Sequence, residues 1–177
     1  MYQYLKQRKS SPRMQHWNYS QCGFYFITIC VKNMACVFGD VMDDKMLLNV
    51  YGEIVKQQLL WLEKRYPYVE LDQYIIMPNH VHVIVNITDV GTGRDLSLPK
   101  SLSLPKPYKI KSIPELIGAF KTTSSKKIHQ RGLTNFQWQR SYYDHIIRNN
   151  HELFQIQKYI KNNPQNWSMD QNHPKNK

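Results

Sequence analysis

Two runs rich in β-branched residues, Val69–Ile76 and His80–Ile87, flank the tripeptide Met77-Pro78-Asn79. Each run suits a strand, and a short proline-bearing link between them predicts a hairpin. Side chains alternate along a strand, so Val81, Val83, Val85 and Ile87 share one face and His80, His82, Ile84 and Asn86 the other. The first face is wholly apolar and must be roofed by helices. The second sets two imidazoles side by side. Such a pair either clamps one divalent ion or stands as hydrogen-bonded sheet histidines.

The rest of the chain supplies the roof. Phe24–Val31 reads as a first strand. Asp43 and Asp44 are positioned to cap a helix in which Leu47, Leu48, Val50, Ile54, Val55, Leu59, Leu60 and Leu62 recur at helical spacing. That helix ends near Tyr66-Pro67. A second helix runs from Ile113 to Gln130, with Ser112 as N-cap, Pro114 in the first turn and Glu115 closing a capping box; Gly132 ends it. Phe136 to Ile147 supplies one or two short strands. Asn149 or Asn150 opens a last helix that reaches Asn163 and stops at Pro164. The order β-α-β-β-α-β plus a helix predicts an α+β fold, a ferredoxin-like or RRM-like antiparallel sheet with two helices on one face. The expected organisation is a basic arm over 1–20, a catalytic domain over 21–167 with a loop insertion at 88–111, and a frayed polar tail over 168–177.

A formal net charge of +11 in 177 residues points to a polyanionic partner, most simply nucleic acid. Lys6, Arg8, Lys9 and Arg13 crowd the arm, and Arg140 and Arg148 flank the last strand segment; all six are candidates for phosphate contacts. The 88–111 loop carries Lys100, Lys106, Lys109 and Lys111, and reads equally as a phosphate-binding loop or an inert insertion. Cys22, Cys30 and Cys36 are odd in number and form no CxxC, which argues against a disulfide framework and for a reducing cytoplasm. No run approaches the ~18 apolar residues of a membrane span, and the N-terminus has no apolar signal core.

Two histidines rarely hold a metal alone. Tyr159 and Asn163 are four apart on the last helix and border its apolar stripe of Leu153, Ile156 and Ile160. Docked over the histidine face, that helix would bring Asn163 to the ion and Tyr159 to whatever the ion polarises. Two imidazoles with an amide oxygen suit Mg²⁺ or Mn²⁺. Tyrosine beside such an ion is a nucleophile for a phosphodiester. Taken singly, Tyr159 reads as an amphipathic core residue and Asn163 as a helix terminator. Tyr142 and Tyr143, beside His145, are rival nucleophiles.

Pro78-Asn79-His80-Val81-His82 resembles the histidine–hydrophobic–histidine motif of the HUH endonucleases. The segment Trp138–Asn149, followed by Tyr159-Ile-Lys-Asn-Asn163-Pro164, is similar to the C-terminal signature of single-tyrosine transposases, in particular their REP-associated branch. The resemblance spans about residues 17–167. It implies metal-dependent cleavage and joining of single-stranded DNA at the foot of a hairpin, in the cytoplasm at the nucleoid. His80 and His82 then match the metal pair, Tyr159 the nucleophile that keeps the 5′-phosphate, and Asn163 the third ligand. The basic arm would grip the hairpin. The branch favours a monomer acting in cis over a homodimer. The competing readings are a non-catalytic single-stranded nucleic-acid binder on an RRM-like sheet, and a metal hydrolase that uses water. An RRM stacks bases on aromatics of its central strands, where this chain has histidines.

Overall fold

The computed structural model describes residues 17–88 and 109–176. The expected arm residues Lys6, Arg8, Lys9 and Arg13, and most of the 88–111 loop, lie outside the described residues. Strands β1 (Gly23–Cys30), β4 (Val69–Ile76), β5 (His80–Ile87) and β6 (Tyr143–Ile147) form one antiparallel sheet in the order β4-β5-β1-β6. Helices α1 (Val50–Arg65) and α2 (Ile113–Gln130) complete the ferredoxin-like arrangement, and α3 (Asn150–Lys161) follows it.

The sheet is roofed on both sides, for the reason its alternation predicts. Tyr25, Ile27 and Ile29 of β1 pair with Val85, Val83 and Val81 of β5. All six are buried against Val55, Leu59 and Leu62 of α1 and Leu116, Ile117 and Phe120 of α2. The opposite face presents Phe26 and Ile84, and α3 covers it with Ile156 and Ile160. The Asn149 side chain caps α3 by accepting from the Glu152 N–H at 2.8 Å. Glu152 then takes the His145 Nε2 at 2.7 Å and the Arg148 N–H at 2.9 Å, which moors the helix start to the end of β6. His145 is thus an anchor of α3.

Two sequence expectations are corrected. Asp43 and Asp44 do not cap a helix. They sit at φ 49° and 59° in the two-residue turn of a hairpin, β2 (Gly39–Met42) with β3 (Lys45–Leu48). Two short polar residues that tolerate positive φ favour this turn over a helix start. Leu47 and Leu48 therefore belong to β3, and α1 begins at Val50. Its cap is Asn49, whose side chain accepts from Tyr51 N–H and Gly52 N–H at 2.9 and 3.1 Å. A Cβ on Gly52 would overlap the Phe38 carbonyl oxygen, so α1 and the residues before the hairpin approach as closely as they do only with glycine there. The second correction concerns the segment after Gln165. It is folded rather than frayed: a 3₁₀ turn at Trp167–Met169 leads to Asp170 and Asn172, each 7% exposed. At the other end, residues 17–20 also pack on the body. The Tyr19 hydroxyl donates to Asp144 Oδ2 at 2.6 Å. Among the described residues no helix is long and apolar enough to cross a membrane.

Ile160 is fully buried at the α3–sheet contact. Ile160→Ala should cost roughly 3 kcal/mol of stability through lost burial and a residual cavity. Phe154→Ala, on the 61%-exposed outer face of the same helix, should change it by no more than about 0.5 kcal/mol. Denaturant unfolding followed by circular dichroism separates the two. Equal stabilities would mean that α3 is not docked on the sheet.

Candidate functional site

The β1–β5 register fixes where the histidines stand. His82 lies opposite Thr28 and His80 opposite Cys30, all on the face that α3 covers. Both imidazoles are fully buried, and their Nε2 atoms approach to 3.1 Å. Each ring is held from behind through Nδ1: His80 by Asn79 Oδ1 at 2.8 Å, His82 by Thr28 Oγ1 at 2.8 Å.

These partners set the protonation of the pair. The Asn79 amide nitrogen donates to the Met34 and Asn172 carbonyls at 3.0 and 2.8 Å, which fixes the amide's orientation. Its oxygen can only accept, so His80 carries its proton on Nδ1. Burial pushes the His80 pKa down to about 3, so the ring is neutral and its Nε2 is a bare lone pair aimed into the site. Burial also holds His82 well below the ordinary imidazole value, with His80 adding to the effect. The Thr28 hydroxyl can donate or accept, so His82 can present Nε2 either protonated toward His80 or bare.

Helix α3 brings the other two expected residues. The Tyr159 hydroxyl lies 3.3 Å from His82 Nε2, and its ring stands edge-on to Phe26 with centroids 6.2 Å apart. Asn163, two residues past α3, is 1% exposed. Its amide nitrogen donates to Asp170 Oδ2 at 3.0 Å, while its buried oxygen has no partner among the described residues. Burial raises the Tyr159 phenol above its ordinary value, and the Asp170 charge raises it further.

Asp170 is the residue sequence reasoning missed. Its carboxylate and the two histidines offer ligand atoms that all lie within 4.8 Å of one another. Its other oxygen accepts the Asn172 N–H at 2.6 Å, and Trp167 lies over His80 with ring centroids 5.9 Å apart. The one available signal was that Asp170 is the only acidic residue C-terminal to Glu152. Asn79 and Thr28 were missed as orienting groups for the same pair. Two neutral imidazoles, a carboxylate and an amide oxygen without a partner make a donor set that can hold a divalent cation. Among the expected phosphate contacts, Arg140 and Arg148 are both exposed. Tyr143, one of the rival nucleophiles, packs edge-on to Phe26 on the α3-covered face, with centroids 6.3 Å apart. Tyr142 packs against the core on the side of α1 and α2.

The chain matches no protein-family model. An uncharacterised protein of Haemophilus influenzae is 39% identical over 166 residues, with 92% of each chain covered. Among solved structures, a REP-associated tyrosine transposase bound to a REP hairpin superposes with a TM-score of 0.56 at 18% identity, over 90% of this chain and 76% of that one. A structure described as a transposase, from Deinococcus radiodurans, gives a TM-score of 0.43 at 18% identity, over 85% of this chain and 95% of that one. The chain belongs to one family with the Haemophilus influenzae protein, and its fold is that of the REP-associated tyrosine transposase that its histidine motif resembles.

Proposed function

We propose that this protein cleaves and rejoins single-stranded DNA beside a hairpin, through a 5′-phosphotyrosine link on Tyr159, with a divalent ion, Mg²⁺ or Mn²⁺, held by His80, His82, Asp170 and Asn163. The observation that carries the reading is the convergence of Tyr159 with two buried neutral imidazoles, a carboxylate and a buried amide oxygen. The fold neighbour bound to a REP hairpin supports DNA of that form as the partner. A net charge of +11 supports it independently.

The donor atoms fit such an ion. The Asn163 oxygen, buried without a partner, costs about 1–3 kcal/mol as it stands. A cation would satisfy it and the His80 lone pair together. When bound, the ion would supply Lewis-acid stabilisation of charge on the phosphodiester oxygens. The chain's own residues do the rest. Asn79 and Thr28 keep the imidazoles aimed, and α3 holds the Tyr159 oxygen beside them. Attack by that oxygen forms a P–O bond while the P–O3′ bond breaks. The phenol loses its proton, and the departing 3′ oxygen gains one. The phosphoester bond is conserved on Tyr159, so the reverse step rejoins a strand with no ATP. Tyr159 lies against the histidine pair of its own chain, which supports action in cis by a monomer.

The phenol's raised pKa is consistent with this arrangement. Burial and Asp170 both oppose the phenolate. A cation on the same carboxylate would offset the Asp170 part of that opposition, which would favour the phenolate when the site is filled.

Two measurements test the reading. Titration with Mn²⁺ by calorimetry should show one site whose affinity falls at least about tenfold in Asp170→Ala and is lost in the His80→Ala, His82→Ala double variant. An unchanged affinity in Asp170→Ala would remove the aspartate from the ligand set. With a labelled hairpin oligonucleotide and Mn²⁺, a denaturing gel should show a covalent adduct that disappears in Tyr159→Phe. Cleavage without an adduct would instead indicate a water-using hydrolase, and binding without cleavage a non-catalytic binder.

A further inference from the structure

The proposed ion leaves one group beside the histidine pair unanswered. Two buried atoms there have no hydrogen-bond partner among the described residues, the Asn163 oxygen and the Asn172 side-chain nitrogen. They have opposite polarity. A carboxamide oxygen can ligate a cation, whereas an amide NH₂ only donates and cannot. A filled metal site would therefore satisfy Asn163 and leave Asn172 as it was.

Asn172 is held firmly, and each of its contacts leads back to the site. Its N–H donates to Asp170 Oδ1 at 2.6 Å. Its carbonyl accepts from the Asn79 amide at 2.8 Å, and the Asn79 oxygen in turn holds His80. Its side-chain oxygen lies 3.9 Å from the Cys30 sulfur, and Cys30 stands directly opposite His80 in the β1–β5 register. The thiol donates to that oxygen, which leaves the NH₂ as the unmet end of the amide. The residue is 7% exposed. A buried donor without an acceptor is costly, and native interiors hold few of them.

What the NH₂ lacks is an acceptor, and the proposed reaction brings one. A phosphodiester carries non-bridging oxygens that share a negative charge, and hydrogen bonds to ionised acceptors are the stronger kind. Asp170 sets the two amides in relation: Oδ2 accepts from the Asn163 side chain and Oδ1 from the Asn172 backbone. The cluster thus offers an unmet acceptor for a cation and an unmet donor for an anion, on either side of one carboxylate. Cys30 and Tyr159 are half-buried and give the group its edge toward solvent. The thiol is a weak donor at long range, so little is lost when it turns aside for an incoming oxygen.

We infer that Asn172 positions the scissile phosphodiester by donating its side-chain NH₂ to one non-bridging oxygen. This role rests on the proposed reaction and adds a residue that grips the substrate rather than the ion. It would hold the phosphorus for attack by the Tyr159 oxygen.

The test uses the full chain, Mn²⁺ and the hairpin oligonucleotide, at the phosphodiester that the covalent adduct identifies. That linkage is prepared in its oxygen form and as each of its two phosphorothioate diastereomers. Sulfur, a poor acceptor, then replaces one non-bridging oxygen or the other. Alanine at 172 keeps both backbone bonds of the residue. Asn172→Ala should slow adduct formation on the oxygen substrate roughly tenfold, the worth of one hydrogen bond to a charged group. On one diastereomer it should have almost no effect, because the wild type has already lost the contact there. Mn²⁺ affinity by calorimetry should stay at the wild-type value. The substrates are compared within one variant, so any general loss of folding cancels. An equal loss on all three substrates would make Asn172 structural and overturn the role. No loss at all, or a fall in Mn²⁺ affinity, would overturn it too, with the proposed function left standing. No adduct between the wild type and the oxygen substrate would overturn the proposed function and this role with it.

Discussion

The Asn79 side chain joins the parts of this molecule that have to agree. Its amide nitrogen holds the carbonyls of Met34 and Asn172, and its oxygen takes the Nδ1 proton of His80. One fully buried residue thus connects the bend after β1, the C-terminal segment and the histidine strand. Because both donations go to carbonyls, the amide has one orientation, and because it has one orientation, His80 has one tautomer. The lone pair that faces the site follows from hydrogen bonds whose other ends lie 45 and 93 residues away in the chain. Such a network is worth more than its separate bonds, since each partner removes an alternative for the others.

The same burial that orients the histidines makes the cluster costly. Two imidazoles with facing Nε2 atoms, a carboxylate and an unpartnered amide oxygen are buried, with a half-buried phenol beside them. Desolvation favours neutral forms, which is why His80 and His82 stay uncharged and Tyr159 keeps its proton. Asp170 contributes the carboxylate of this cluster. The sheet beneath is what tolerates the expense: its other face buries valine, isoleucine and leucine against two helices without a break.

How far the sequence reveals all this depends on the range of the interactions. Strand alternation is local, so the histidine pair and the apolar face opposite were readable, as were the capping of α2 and the apolar stripe of α3. The docking of α3 on the histidine face followed from stripe meeting stripe. The β2–β3 hairpin was not readable because leucines at 47 and 48 continue a helical rhythm, and only the positive φ at Asp43 and Asp44 breaks it. Asp170 was hidden for a different reason. Nothing in the polar stretch around it carries a period, and it is held by the bond from Asn163 and by the tie between Asn79 and the nearby Asn172 carbonyl, which no local pattern encodes.

That contrast bears on the ligand set itself. Asn163 was legible as a neighbour of Tyr159 because it sits one helical turn beyond it; in the proposed site a neutral amide would add little to two neutral imidazoles in balancing a divalent charge. In the proposed site Asp170 would add a carboxylate, and its bond from the Asn163 amide nitrogen leaves the Asn163 oxygen without a partner among the described residues. The two residues are coupled: the carboxylate orients the amide by accepting from its nitrogen, and in the proposed site the amide oxygen would be left for the cation. A side chain as short as asparagine would suffice in that site because the C-terminal segment folds back to meet it.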